Sequence, residues 1–239
     1  IEENIVTGAS QAAIYAETPT GIVILGNRIE GNGVAIEIDH GTSIIQDNLI
    51  LDNEAPYASH GVVSVFITDS STVTGNIFAR NGGQVSLYVY YGAGHVITDN
   101  TLYGNLTGGM HVRYATESVV RNNLVAFNTG GPGIRHVAHD GDLFAFEYNN
   151  SYGNFPSDWV NAGQDVGNIS ADPLFADTSG VAFELLPGSP CVDASHPDPQ
   201  YNDPDGTRGD IGAIPLGPVS YPLALEITAT PEAAGTVGS

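Results

Sequence analysis

Apolar and polar residues alternate along this chain in short runs with the period of a strand. Runs such as Ser43-Ile44-Ile45, Ser71-Thr72-Val73, His95-Val96-Ile97 and Ser118-Val119-Val120 are β-branched and brief. Each is followed by a second short run, Leu49-Ile50-Leu51, Ile77-Phe78-Ala79 or Leu124-Val125-Ala126. A third run with period-2 alternation comes after a glycine, as in Val34-Ala35-Ile36-Glu37-Ile38 and Val85-Ser86-Leu87-Tyr88-Val89. No segment keeps a 3.6-residue period, so the pattern predicts strands and no long helix.

Asparagine punctuates these runs. Six segments fit Asn-x-x-x-x-Asn: Asn27 to Asn32, Asn48 to Asn53, Asn76 to Asn81, Asn100 to Asn105, Asn123 to Asn128 and Asn149 to Asn154. Their first asparagines lie 21, 28, 24, 23 and 26 residues apart, with ragged repeats at Asn4 and Asn168. A period in this range marks a solenoid whose coils pack only on their neighbours. Three strands and three turns per coil is the layout of an all-β parallel β-helix, of about seven coils of roughly 23 residues. Asparagine tolerates the left-handed backbone that a sharp corner needs, and stacked amides can bond one another in a ladder. That structural role also accounts for the asparagines of three glycosylation-type triplets, at Asn105, Asn149 and Asn168.

At these motifs the chain resembles the right-handed parallel β-helix proteins of the pectate-lyase-like superfamily. The repeats from Asn4 to Asn154 look like the generic coils of that group. Ala171-Asp172-Pro173-Leu174-Phe175, Phe183-Glu184-Leu185, Pro187-Gly188-Ser189-Pro190 and Asp203-Pro204-Asp205-Gly206-Thr207-Arg208 are similar to the closing segment of bacterial secreted and surface β-helix proteins. The resemblance implies coils over residues 1–170, a closing segment over 171–215 and a Pro/Ala/Thr/Gly-rich tail over 216–239. It implies an extracellular or cell-surface setting. It does not imply a reaction, because the fold hosts lyases, hydrolases, epimerases and structural spacers.

Charge narrows the partners. There are 27 acidic residues against 6 basic ones, for a net charge of -21. That balance argues against nucleic acid and anionic membranes, and no stretch reaches membrane-spanning length. The single cysteine, Cys191, sits in an apolar slot and reads as a buried structural thiol. The first residues already read as part of a coil, and Pro231 to Ser239 reads as a linker, with Tyr221 to Thr228 as a candidate strand. These ends predict further domains or neighbours on both sides.

Function is expected on the outward face of the third strand, which the resemblance implies is the groove-lining sheet. With Val34, Val63, Val85, Met110 and Ile134 set inward, three outward rows follow. The first reads Ala35, Ser64, Ser86, His111 and Arg135; the second Glu37, Phe66, Tyr88, Arg113 and Val137; the third Asp39, Thr68, Tyr90, Ala115 and His139. Aromatic rings offer apolar faces to sugar rings, and guanidinium forks bind carboxylates. A linear acidic polysaccharide laid along the axis would meet both. A non-catalytic structural or adhesive segment of a larger surface protein is the competing reading, since aromatics also cover idle sheets.

What is missing constrains any chemistry. Glycoside hydrolysis needs facing carboxylates, and the central rows supply none. Proton abstraction beside a uronate carboxylate, as in polyuronate lyases and epimerases, fits better. There Arg113 or Arg135 would neutralise the carboxylate, His111 or His139 would take the proton, and Tyr88 or Tyr90 would donate to the leaving oxygen. Phe66, Glu37 and His136 would add substrate contacts. No cofactor is required. Asp203, Asp205 and Asp210 invite a calcium reading, set against that of an ordinary Asp/Gly turn.

Overall fold

The computed structural model describes residues 1–55, 61–68, 70–138, 144–163, 165–179 and 183–214, with the strand pair Leu225–Glu226. The chain winds into a parallel β-solenoid of about six turns of about 24 residues, without an α-helix among the described residues. Among the described residues every pairing between strands is parallel and, apart from that of Leu225–Glu226, joins one coil to the next, while one isolated antiparallel bridge links Phe175 and Leu185. The strand inside each Asn-x-x-x-x-Asn segment builds an 8-stranded sheet. The strands before and after it form two wings of a 12-stranded sheet, continuous where Ile36–Gln46 bends from one wing into the other.

Each coil sends one stripe of side chains to the interior. Ile29, Ile50, Phe78, Leu102 and Val125 fill it from the 8-stranded sheet, and Ile36, Val63, Leu87, Met110 and Ile134 from the wing after the glycine turn. Column stacking lets each apolar residue meet its equivalent one coil away, so a core forms without any helix.

The asparagines form two continuous ladders. In the first, the side-chain amide of Asn4 donates to Oδ1 of Asn27, and the chain of bonds continues through Asn48, Asn76, Asn100, Asn123 and Asn149 to Asn168. The second runs from Asn32 through Asn53, Asn81, Asn105 and Asn128 to Asn154, whose amide ends on Asp158 Oδ1. Asn4 and Asn168 therefore join the ladder as the ragged repeats suggested. The same Nδ2 atoms also donate to backbone carbonyls one coil back, as Asn100 does to Val73. Each buried amide is thereby satisfied, which a buried polar group requires.

The corner conformation falls on a different residue from the one expected. The left-handed positions are those just before the ladder asparagines: Gly26, Asp47, Gly75, Asp99, Asn122 and Tyr148 on one ladder, Gly31, Asp52, Arg80, Gly104, Phe127 and Gly153 on the other. The ladder asparagine turns the chain by hydrogen bonding and leaves the strained φ to its neighbour. A shorter polar stack, Ser43–Ser71–His95–Ser118, lines the remaining corner.

The described residues of 171–214 run along the outside of the 8-stranded sheet. Phe183 and Ile214 pack on Leu51, Ile77 and Ala79, while Leu185, Cys191 and Ile211 pack on Leu124 and Ala126. The Gly212 amide donates to the Asn122 carbonyl and the Ala213 amide to Thr101 Oγ1. Cys191 is fully buried, as expected, and accepts a bond from Asn150 Nδ2. The strand expected within 221–228 is present over Leu225–Glu226, which pairs with Asn4 and Ile5 of the first coil.

Candidate binding face

The wing after the glycine turn carries the candidate residues on its outer side. Its register places Ile36, Val63, Leu87, Met110 and Ile134 in one inward column. Two coils are therefore displaced by two residues from the sequence expectation. Val34 belongs to the turn and Val85 opens its strand opposite Gly108, Ala35 is buried in the core, and Ser86 is fully buried with its hydroxyl on the Gly108 carbonyl. A two-residue shift keeps each side chain on its face but changes its neighbours. The first outward row becomes Tyr15, Glu37, Ser64, Tyr88, His111 and Arg135; the second becomes Glu17, Asp39, Phe66, Tyr90 and Arg113. Ala115, expected to face outward, is fully buried in the core, because the left-handed Tyr114 interrupts the alternation.

The corrected register builds an aromatic floor. Tyr88 and His111 rings lie 5.2 Å apart, Phe66 and Tyr90 stack at 4.8 Å, and Tyr88 stacks on Tyr90 at 5.6 Å. The Arg113 guanidinium lies over Tyr90 at 5.4 Å and over Tyr114 at 4.7 Å, and Nη2 donates to the Tyr114 hydroxyl at 3.3 Å. Such stacking holds a guanidinium in place without cancelling its charge. Hydrogen bonds to the Tyr114 and Tyr88 phenols raise its pKa above the ordinary arginine value. Arg135 is exposed in the next coil.

Tyr88, His111, Arg113 and Arg135 open on a concavity of about 370 Å³, walled on its other side by Gln84 and Pro132. The glycines of the adjoining turns are there for space. A Cβ at Gly109 would strike the Gly133 carbonyl and Val125, and one at Gly130 would strike the Leu106 carbonyl. The turn backbones can stack coil on coil only without side chains.

Burial, then the charges of Arg135 and Arg113 and the proximity of His136, lower the His111 pKa to about 4. His111 is thus neutral at pH 7. Its Nε2 is buried with no hydrogen-bond partner among the described residues. As a base it is weak for the same reason, since a general base works best with a pKa near the operating pH.

The remaining arginines are occupied. Arg28 pairs with Glu30, Arg80 with Asp52 and Arg121 with Glu147, while Arg208 bonds the Ser195 and Ala194 carbonyls. Among the described residues, no carboxylate lies within ion-pair distance of Arg113 or Arg135.

Other expected site residues are placed differently. His136 pairs in register with the inward Val112 and packs on Phe144 and Phe146, 4.2 and 4.8 Å away, so it faces the end of the core and not the groove. Strand alternation after Arg135 requires this. His139, like Asp140 and Asp142, lies outside the described residues. Glu37 and Phe66 are on the outward face, with Glu37 three coils from His111.

The acidic turn uses its own carboxylates. Asp205 Oδ1 accepts from the Thr207 amide and hydroxyl, and Asp210 Oδ1 accepts from the Asp193 amide. Burial, then the charge of Asp210, raises the Asp203 pKa to about 6. Among the described residues no group of three or more histidines, cysteines or carboxylates is arranged to hold a metal ion. Asn105 and Asn149 are fully buried in the ladders, which removes their acceptor amides from the surface.

Two participants escaped the sequence reading, Tyr91 and Tyr114. Their rings meet at a tilt, 5.1 Å apart, and Tyr114 lies under Arg113. Both take positive φ, where a bulky residue is uncommon. The readable signal was a tyrosine before a small residue in consecutive coils, Tyr91-Gly92 and Tyr114-Ala115.

Among the described residues no helix is long and apolar enough to cross a membrane. Comparison with curated proteins and with solved structures returns no match. A family model described as right handed beta helix region matches residues 1–125 and 58–168, the whole stack of coils. With its parallel coils, inward stripes and paired amide ladders, the chain belongs to the right handed beta helix family.

Proposed function

We propose that the outward wing from Phe66 to Arg135 binds an acidic polysaccharide lying along the solenoid axis. The observation that carries this reading is the pair of guanidiniums, Arg113 and Arg135, without carboxylate partners among the described residues of a chain with net charge -21. Every other arginine is engaged, so these two supply the local positive field that an anionic chain needs in order to dock. Phe66 and Tyr90 offer ring faces beside them, with the largely buried Tyr88 packed against Tyr90, and coils about 4.8 Å apart repeat these contacts along a straight line.

Chemistry on the bound chain is the secondary reading. The contact between Tyr88 and His111 supports it, with Arg113 or Arg135 to neutralise a uronate carboxylate and Tyr88 to donate a proton. The low pKa of His111 weighs against proton abstraction in the unliganded state, so binding takes precedence. A secreted or cell-surface setting goes with this proposal.

The test is a panel of polyuronates and neutral polysaccharides, scored for retention of the protein and for ultraviolet absorbance of unsaturated products, with and without calcium. Retention on acidic polymers alone is the expected result, and absorbance would add a lyase activity. Equal behaviour on acidic and neutral polymers would move the reading to a structural or adhesive segment.

A further inference from the structure

The charges on this face are sorted along the axis. Glu17, Glu37 and Asp39 project from the first two coils of the wing, beside Tyr15, which is 56 % exposed. Phe66, Tyr88 and Tyr90 occupy the middle coils, and His111, Arg113 and Arg135 the last two of this stretch. Three coil steps separate Glu37 from His111, about 14 Å at ~4.8 Å per step. Arg135 is one step further. That distance exceeds the Debye length of about 8 Å at physiological ionic strength. The acidic end therefore leaves the arginines uncancelled, and each end acts on whatever part of a ligand lies over it.

A polymer carrying a carboxylate on every sugar would gain at Arg113 and Arg135 and lose over Glu37 and Asp39. A sugar without charge would instead present hydroxyl donors to Glu37 and to the Asp39 oxygen not taken up by His40 Nδ1, 2.8 Å from Oδ1, since carboxylates accept strong charge-assisted bonds. We infer that this face selects a glycan of uneven charge, with one acidic unit over Arg113 and Arg135 followed by uncharged, hydroxyl-rich units over Tyr88, Phe66 and Glu37. This rests on the binding reading above and adds the charge pattern of the ligand to it. Glu37 and Asp39 become specificity-determining residues, favouring neutral sugars by hydrogen bonding and rejecting acidic ones by repulsion.

The experiment compares two probes of equal length by competition titration at physiological ionic strength with a chelator present. One is an oligosaccharide of uronates throughout, the other an otherwise neutral oligosaccharide ending in a single uronate. The wild-type protein should prefer the singly charged probe. In a Glu37→Gln/Asp39→Asn variant, affinity for the fully charged probe should rise about fivefold and affinity for the other should fall about twofold. The preference then shrinks about tenfold. A preference unchanged or enlarged by the double substitution would overturn the inference while leaving the binding reading intact. Failure of both probes, or binding that is indifferent to Arg113→Ala and Arg135→Ala, would overturn the two together. Melting curves of each variant confirm that the fold is retained.

Discussion

Two outward faces of the same solenoid have opposite fates. On the 8-stranded sheet the outward positions are Leu51, Ile77, Ala79, Leu124 and Ala126, and residues 171–214 lie over them. On the wing after the glycine turn the outward positions from Tyr88 to Arg135 are tyrosine, histidine and arginine, and these side chains line a concavity. The coils are alike in period and backbone, so only side-chain chemistry distinguishes the faces. Apolar outward residues call for a cover from the same chain, because leaving them wet costs about 25 cal/mol per Å². Rings interleaved with guanidiniums are tolerable in water and need no such cover.

The largest effect should come from breaking what the two faces share. Asn100 is fully buried, donates to Asn123 Oδ1 and the Val73 and Thr98 carbonyls, and accepts from Asn76. Asn100→Leu strands several of these groups, and denaturant titration should show a loss on the order of 3–5 kcal/mol. Next in size is the covered face. Phe183→Ala empties a buried site between the closing segment and Leu51, for an expected loss of about 3 kcal/mol, read by thermal melting. Glycan binding should be unchanged in that variant; a parallel loss of binding would mean the faces are not independent.

On the open face the ranking inverts. Arg135→Ala should cost less than about 0.5 kcal/mol in stability, because the side chain is exposed, while weakening acidic-glycan binding about tenfold. Arg113→Ala should weaken binding similarly and also loosen Tyr90 and Tyr114.

The smallest effect concerns pH. His111 has a folded pKa of about 4, below the unfolded value of about 6.5, so the unfolded chain binds its proton first. Stability from this group is intact above about pH 6.5 and is lost as pH falls toward 4. After discounting for partial exposure the loss is on the order of 1 kcal/mol. His111→Gln should flatten that part of the stability profile between pH 4 and 6.5.

Much of the fold was legible because its signals are local and repeated. The ladder asparagines, the period-2 runs and the glycine that usually follows a repeat each follow from one coil, down to the terminal rungs Asn4 and Asn168. The corner residues were misassigned because the left-handed position can be taken by Gly, Asp, Asn, Tyr or Arg, and the ladder bond, made by the next residue, is what fixes it. The register of two coils was missed for a related reason. The turn from Asn32 to Ile36 is short and that from Asn81 to Leu87 longer, so the first valine after the glycine is an unreliable anchor. The outward residues of this wing were readable by type, yet their pairings were not, and Tyr88 meets His111 where Arg113 was expected beside it. The destination of residues 171–214 depends on contacts far apart in sequence, such as Ala213 with Thr101, which no local pattern encodes.

The central claim is that the open wing is a ligand face while the covered face is structural. The most direct measurement is a titration of a uronate-bearing oligosaccharide against the wild-type protein, Arg113→Ala/Arg135→Ala and Phe183→Ala, with a melting curve for each. The account predicts that the arginine variant loses affinity at least tenfold while keeping most of its melting temperature, and that Phe183→Ala melts earlier with affinity intact. Affinity that survives in the arginine variant, or that falls with Phe183→Ala, would contradict it.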